Sequence, residues 1–441
     1  MALLRRKKKV VEEEQELVVS EPLPELSDPP AAGPDGLRVM EDHRDYLLSM
    51  VEPLPALGMN LLDAWGLAVC EELDSPVDLP GFDNSQMDGY AVRAADVAKA
   101  TPETPCILPV AGAIAAGDDG QQELPEGQAI KIMTGAPLPP GADAIVPVES
   151  TDGGAEQVTI HRPVTAGEYV RRRGSDLGAG TRLVTRGQRI DARTVGLLAA
   201  AGIDKVLARP RPRVVVVSTG AELVEPGREL DAPGKIHDAN GFMVAAAAKA
   251  EGCQVFRVHI ASDDPEVVRE AISDQLIRAD LIVTTGGVSK GDHDVVKQVM
   301  PSMGACDFAE VAMQPGKPQG FALIGDDQVP MIMLPGNPVS AYVSFQAFVR
   351  PVVRTMMGVE PINHTPVPCV AGSVMHSVKG KLQFGRALVT DQGGAKTVDL
   401  VGGHSSHLVG DLAACNALVL LDEDTEVVKP GERVMVWMLD D

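Results

Sequence analysis

Carboxylates placed beside glycine-rich turns are the first residues in this chain equipped for chemistry. Glu222 lies in "STGAEL", Asp263 and Asp264 in "SDDPEV", and Asp292 and Asp294 in "TTGGVSKGDHD". Such oxygen donors suit a hard divalent cation of the Mg2+ type, which takes one or two carboxylates and fills its remaining positions with water and phosphate oxygens. Glycines beside them let the backbone approach a ligand closely and turn N–H groups toward an anion. Asp263 or Asp264 could equally cap the helix opened by Pro265, and Asp294 the helix "VVKQVM". A third glycine loop, "LPGNPVS" (Leu334 to Ser340), has no carboxylate but occupies a comparable place after an apolar run.

The elements that would position these loops alternate from Pro212 onward. "RVVVVSTG", "LIVTTGG" and "PMIMLPGNP" are uninterrupted apolar strands, with the helical patterns "DANGFMVAAAAKAEG" and "DDPEVVREAISDQLIRAD" among them. Strands without polar alternation are buried on both faces, which predicts a three-layer α/β domain with a parallel sheet. Ligands bind such sheets beyond the carboxyl ends of the strands. Ser218, Thr219 and Gly220, then Gly286, Gly287 and Ser289, then Pro335, Gly336, Asn337, Pro338 and Ser340 are therefore candidate ligand contacts. Basic residues near such loops could offset a net charge of −23: Arg171, Arg172 and Arg173 precede Gly174 and Asp176, while Lys290 and Lys317 fall in sheet-end loops.

A different stretch, "FDNSQMDGYAV" (Phe82 to Val92), fits neither an alternating strand nor a helix. It is either a surface loop or a rigid loop presenting Asp88. Around it the chain divides into regions. Residues 1–37, with five consecutive basic residues from Arg5 to Lys9 and dense proline, read as a disordered tail. Residues 38–75 and 178–210 read as a discontinuous helical domain, including a helix over "NLLDAWGLAVCEEL" with Asn60 as its cap. Residues 76–177 read as an inserted β-rich domain, 211–358 as the α/β domain and 359–441 as a β-barrel of short strands.

Several functions are disfavoured. No extended basic face exists for nucleic acid, and neither G-x-x-x-x-G-K-[ST] nor a post-strand G-x-G-x-x-G is present. The nine histidines contain no H-E-x-x-H, and the six cysteines no C-x-x-C, so reduced thiols and no zinc site are expected. The first residues carry no signal-peptide apolar region and no run is long enough to span a membrane, which points to a cytoplasmic protein.

"FDNSQMDGYAVR", "KIMTGAPLPPGADAIVP", "VRRRGSDLGAG", "VSTGAEL", "TTGGVSKGDHD", "QPGKP" and "LPGNPVSA" follow the order in which the MoeA and gephyrin E-domain family carries them, and the chain resembles that family over about 40–441. The resemblance implies an elongated homodimer of four-domain subunits that inserts molybdate into adenylylated molybdopterin with a divalent cation and releases AMP. It implies Asp88 and Thr134 as active-site residues contributed across the dimer interface, with Glu222, Asp263 and Asp294 as carboxylates for metal and substrate. Asp176 and the arginines before it match a loop near the same cleft, and Pro335 and Pro338 shape the last loop. The chain departs from some members at Gln314, where they carry Lys, and at Glu310, which replaces another basic residue. The alternative that the resemblance carries is a gephyrin-like scaffold binding the tails of membrane or cytoskeletal proteins.

Overall fold

A computed structural model describes residues 26–288 and 294–439. The chain divides into two compact units, Met1–Glu52 with Arg211–Met356 and Pro361–Asp441, and Pro53–Pro210 with Met357–Glu360.

The first unit is organised by a six-stranded sheet in the order Gln254–Ile260, Arg213–Thr219, Leu281–Thr285, Val329–Leu334, Pro318–Ile324, Gly304–Glu310. The first four strands are parallel. Val214 to Val217 are all fully buried, as an uninterrupted apolar strand in a two-sided sheet requires. Val215 and Val217 face Val268, Ile272, Val296 and Val299 on one side, and the helix Asn240–Ala250 packs against the strands Arg213–Thr219 and Gln254–Ile260. The sheet is not parallel throughout. Pro318–Ile324 runs against Val329–Leu334, because residues 325–328 form a hairpin turn and a parallel crossover needs a dozen residues or more. Gly325 and Gln328 supply the positive φ values of that turn.

The same unit contains the N-terminal helix Met40–Ser49, which buries Met40, His43, Tyr46 and Leu47. Ahead of it, Arg38 joins the sheet margin: its N–H donates to the Glu310 carbonyl and its carbonyl accepts from Ala312, both at 2.8 Å. This corrects two expectations. The helix belongs with the α/β unit and not with residues 178–210. The proposed tail also ends too late, since Gly33 N–H donates to the Leu37 carbonyl and Leu37 is buried; residues 1–25 lie outside the described residues. After Pro361 comes a closed five-stranded barrel, in which Leu382–Gln392, Ala395–Leu400, Val367–Ala371, Arg433–Met438 and Ala417–Leu421 pair in turn and the last returns to the first.

In the second unit a five-stranded sheet runs Ala144–Pro147, Gly89–Val92, Ala129–Ile132, Cys106–Ile114, Gln157–Ile160. The stretch that fitted no period contains one of its interior strands. Tyr90 and Val92 pack with Leu108, Val146 and Ile160, while Ala91 packs with Ile130, Ile132 and Ile145 on the opposite face, so no polar alternation remains to be read. Gly89 is dictated by packing: a Cβ there would lie 2.0 Å from the Val146 carbonyl oxygen.

The helix expected over residues 60–73 is not formed. Leu57–Asn60 is a strand paired with Lys205–Ala208, and turns follow it. Gly66 sits at φ 82, outside the helical region, and its N–H donates to the Ile190 carbonyl. Leu61, Ala64 and Leu67 still reach a core, shared with Val184, Ile190 and Leu198. Of the second helical stretch only Ala192–Ala200 is helix, capped by Asp191 through Thr194 N–H at 2.8 Å. No described helix is long and apolar enough to cross a membrane.

Candidate active site

A cleft of about 320 Å3 opens at the carboxyl ends of the parallel strands. Thr219 and Thr285 end two of the strands that line it; Glu222, Leu223, His237, Asp238, Asn240, Gly286, Gly336, Asn337, Pro338 and His407 complete much of its wall. Three loops are fastened together there. Gly286, at φ 93, donates its N–H to Leu334 O at 3.0 Å. The Asn240 amide donates to the Gly336 carbonyl at 2.6 Å. Glu222 folds back over its own turn so closely that a Cβ on Gly220 would lie 2.5 Å from its carboxylate.

The adjacent aspartates divide their roles. Asp264 caps the helix Pro265–Ser273 by accepting from Glu266 N–H at 2.9 Å. Asp263 instead accepts from Ala221 N–H at 3.2 Å, which ties it to the Glu222 turn. Asp294 stands at the start of Val295–Met303, but its side chain does not cap that helix.

Other expected contacts lie elsewhere. Ser218 is fully buried and donates to Asp238 Oδ2 at 2.5 Å, because strand parity turns it away from the face of Thr219. Ser340 is buried in the helix after the Gly336 loop. Lys317 pairs with Glu310 at 2.9 Å and does not line the cleft. Ser289, with Lys290 and Asp292, lies outside the described residues. Glu222, Asp263 and Asp294 do not form a close three-ligand group; among the described residues that geometry belongs to Glu225, Asp238 and His259. Arg257 already occupies this cluster, with one nitrogen 3.1 Å from Asp238 and the other 2.6 and 2.7 Å from the two Glu225 oxygens. A guanidinium thus supplies the cation.

His237, Asp238, Asn240 and His407 were not among the expected ligand contacts, yet all four line the cleft. Asp238 also accepts from Gly241 N–H at 2.8 Å. The polar run "HDAN" between a short strand and a helix was the available signal; nothing local marks His407, which comes from the barrel region.

In the second unit, Asp88 and Thr134 meet. One oxygen of Asp88 accepts both the backbone N–H and the hydroxyl of Thr134, each at 2.7 Å. These bonds, the N–H foremost, hold the Asp88 carboxyl below its ordinary range. The arginine run has a local function there. Arg172 binds Asp83 at 2.6 Å and Arg173 binds Asp78 at 2.5 Å, while Arg173 N–H also reaches Asp83. Asp83 is held below its usual range chiefly by that N–H, and Asp78 chiefly by Ala179 N–H. Arg172 and Arg173 therefore fasten residues 78–83 to 171–179, and much of their charge is spent on that. Arg171 pairs through its backbone with Asn84, and Asp176 is exposed.

An α/β body whose glycine loops and carboxylates converge at strand ends, joined in sequence to a closed barrel and an inserted β-rich sheet, defines a multidomain α/β protein with a cleft where such sheets bind ligands. Comparison with known proteins narrows this. Residues 38–202 match the MoeA N-terminal region (domain I and II), 215–355 a probable molybdopterin binding domain and 369–439 the MoeA C-terminal region (domain IV). The chain is 41% identical over 409 residues to molybdopterin molybdenumtransferase 2 of Mycobacterium tuberculosis, covering 91% of this chain and 100% of that one. It is 38% identical over 426 residues to molybdopterin molybdenumtransferase 1 of that organism, covering 91% and 98%. The crystal structure of the molybdopterin biosynthesis MoeA protein from Pyrococcus horikosii superposes with a TM-score of 0.74 at 30% identity, covering 92% of this chain and 100% of that one. The chain belongs to the molybdopterin molybdenumtransferase family, and is an enzyme of the transferase class.

Proposed function

We propose that this protein inserts molybdate into adenylylated molybdopterin and releases AMP, in a reaction that depends on a divalent cation. The observation that carries the reading is the cleft at the strand ends, where Glu222 folds over Gly220, Asp263 is tied to the same turn, and the Gly286 and Gly336 loops meet. Breaking the phosphoanhydride between pterin phosphate and AMP needs charge neutralisation and alignment more than a covalent nucleophile. The carboxylates Glu222, Asp263 and Asp294 are hard oxygen donors that fit Mg2+; because they are not a closed cage, substrate phosphates would complete its shell. When bound, Mg2+ supplies Lewis-acid polarisation of phosphate oxygens. The chain's own residues orient the substrate: the Asn240–Gly336 bond fixes two walls, and the ionised Asp88, held by Thr134, offers its second oxygen to water or a substrate hydroxyl.

In this reading the enzyme is a cytoplasmic homodimer, and Asp88 and Thr134 of one subunit serve the cleft of the other. The relatives are named as transferases, which gives the scaffold alternative no support. The direct test incubates the protein with adenylylated molybdopterin, molybdate and Mg2+ and follows AMP. No molybdate- and Mg2+-dependent AMP release by folded protein would refute the assignment.

A further inference from the structure

Glu222 and His237 enter the cleft from a two-stranded parallel ribbon, Leu223–Val224 beside Ile236–His237. So small a ribbon has little to hold it: Ile236 N–H donates to the Glu222 carbonyl and Asp238 N–H to the Val224 carbonyl, each at 2.9 Å. Two strands of two residues do not stabilise themselves. Each strand, however, is followed directly by a carboxylate, Glu225 after the first and Asp238 after the second, and both carboxylates end on Arg257.

Arg257 comes from Gln254–Ile260, the edge strand of the main sheet. Its guanidinium forks between the two ribbon strands, with two bonds of 2.6 and 2.7 Å to Glu225 and one of 3.1 Å to Asp238. Its central carbon lies 3.9 Å from the ring centroid of Phe242, on the helix that follows the ribbon. Asp238, almost fully buried, also takes Ser218 Oγ and Gly241 N–H, so the cluster connects the ribbon to the first strand and the following helix. A planar fork with fixed donor directions suits this double contact; a lysine reaches one partner at a time.

We propose that Arg257 is a positioning residue for the cleft: by clasping Glu225 and Asp238 it sets the ribbon that presents Glu222 and His237, while touching no substrate itself. The proposal rests on the transferase reading for its turnover test, and on binding alone for its others. Without the clasp the ribbon is free to shift, and Glu222 loses its fixed place over the Gly220 turn.

The test uses the full chain with Arg257→Ala, Arg257→Lys, Glu225→Ala and the Arg257→Ala/Glu225→Ala double variant. AMP release is measured against Mg2+ concentration, and Mn2+ and AMP binding are measured separately by electron paramagnetic resonance and calorimetry. Expected are an at least 5-fold rise in the Mg2+ concentration for half-maximal rate in both alanine variants, a parallel weakening of Mn2+ binding, partial recovery in Arg257→Lys, and recovery of Arg257→Ala by added guanidinium ion. Because both residues act through one clasp, the double variant should be no worse than Arg257→Ala. Glu225 is more exposed than Arg257, so its variant tests the clasp even if Arg257→Ala folds poorly. Unchanged Mg2+ and Mn2+ midpoints in Glu225→Ala, or losses that simply multiply in the double variant, would overturn the proposal. If the parent releases no AMP, the transferase reading fails, and the Mn2+ and AMP titrations still decide the clasp.

Discussion

Thr134 places both its backbone N–H and its hydroxyl on the same oxygen of Asp88, each at 2.7 Å. The residues are 46 positions apart, and strand pairing brings them together: Gly89, next to Asp88, lies opposite Ile132, two residues before Thr134. Asp88 is exposed, and both bonds fall on one of its two oxygens. Asp88→Asn keeps the shape and removes the charge; AMP release should fall at least 100-fold, within the range for loss of an acid–base group. Thr134→Val keeps the N–H bond and should cost about 10-fold, a loss of roughly one charge-assisted hydrogen bond. The same bonds keep Asp88 ionised at pH values where an ordinary aspartate takes up a proton. The acid limb of the wild-type pH–rate profile should therefore lie below that of Thr134→Val. Coincident limbs would show that Asp88 does not control the rate.

The neighbours Asp263 and Asp264 should separate chemistry from stability. Asp264→Ala removes the cap on Glu266 N–H and should cost about 1 kcal/mol of local stability while turnover by folded protein is kept. Asp263→Asn leaves that helix intact and should raise the Mg2+ requirement, since Asp263 borders the Glu222 turn. Asp294→Asn should behave as Asp263→Asn does, because its side chain is not the cap of its helix. Thermal melts beside Mg2+ titrations of the three variants check this; a destabilised but fully active Asp294→Asn would make that residue structural.

How much of this could be read in advance depended on what each residue's neighbours were. The strand Arg213–Thr219 was legible because four valines in a row fit only a strand buried on both faces. The motif-bearing residues Asp88, Thr134, Glu222, Gly286 and Gly336 were legible as sets of loops. Orientation was not: Ser218 and Thr219 are adjacent, and only the register of the sheet sends one into the Asp238 cluster and the other into the cleft. The apolar spacing of Leu61, Ala64 and Leu67 reads as a helix, yet Gly66 and pairing with residues 188–208 bury the same side chains through turns. Arginines 172 and 173 looked available for phosphate because their partners, Asp83 and Asp78, are about 90 residues away in sequence.

A buried histidine, His43, and a half-buried one, His364, should make stability fall on acidification. Burial first, then the Arg38 guanidinium, hold His43 down to about 3; burial first, then Arg350 and Arg354, hold His364 down to about 3. Arg38 can only donate, so His43 Nδ1 accepts from it, whereas Nε2 of His364 lies 2.8 Å from the side-chain Oε1 of Gln346 and donates to it. In the unfolded chain both imidazoles take up a proton near the ordinary value of 6.5. Between that pH and about 3 the unfolded state binds more protons, so these contributions are complete above 6.5 and decline as pH falls. Melting temperature should drop steadily from pH 7 to pH 5, and His43→Gln with His364→Gln should flatten the slope. An unaltered slope in the double variant would assign the acid sensitivity to other groups.

The N-terminal boundary gives a sharp contrast between two truncations. Deletion of residues 1–25, with their like-charge blocks, should leave melting temperature and turnover unchanged, since such a composition has little apolar surface to bury. Deletion of residues 1–38 should not be tolerated. It removes Leu37 from its buried place, the two backbone bonds of Arg38 with Glu310 and Ala312, and the Arg38–Asp307 ion pair at 2.7 Å, in which both side chains are nearly out of solvent. Arg38→Met isolates the last of these: it preserves the backbone bonds and much of the packing but strands Asp307, at a cost of about 3–5 kcal/mol for an unpaired buried charge. Arg38→Met with Asp307→Leu should recover most of that loss, because neither charge is then left alone. Denaturant unfolding of the four variants beside the parent measures each step. A single Arg38→Met variant as stable as the parent would mean that the pair does not hold the N-terminal segment to the sheet.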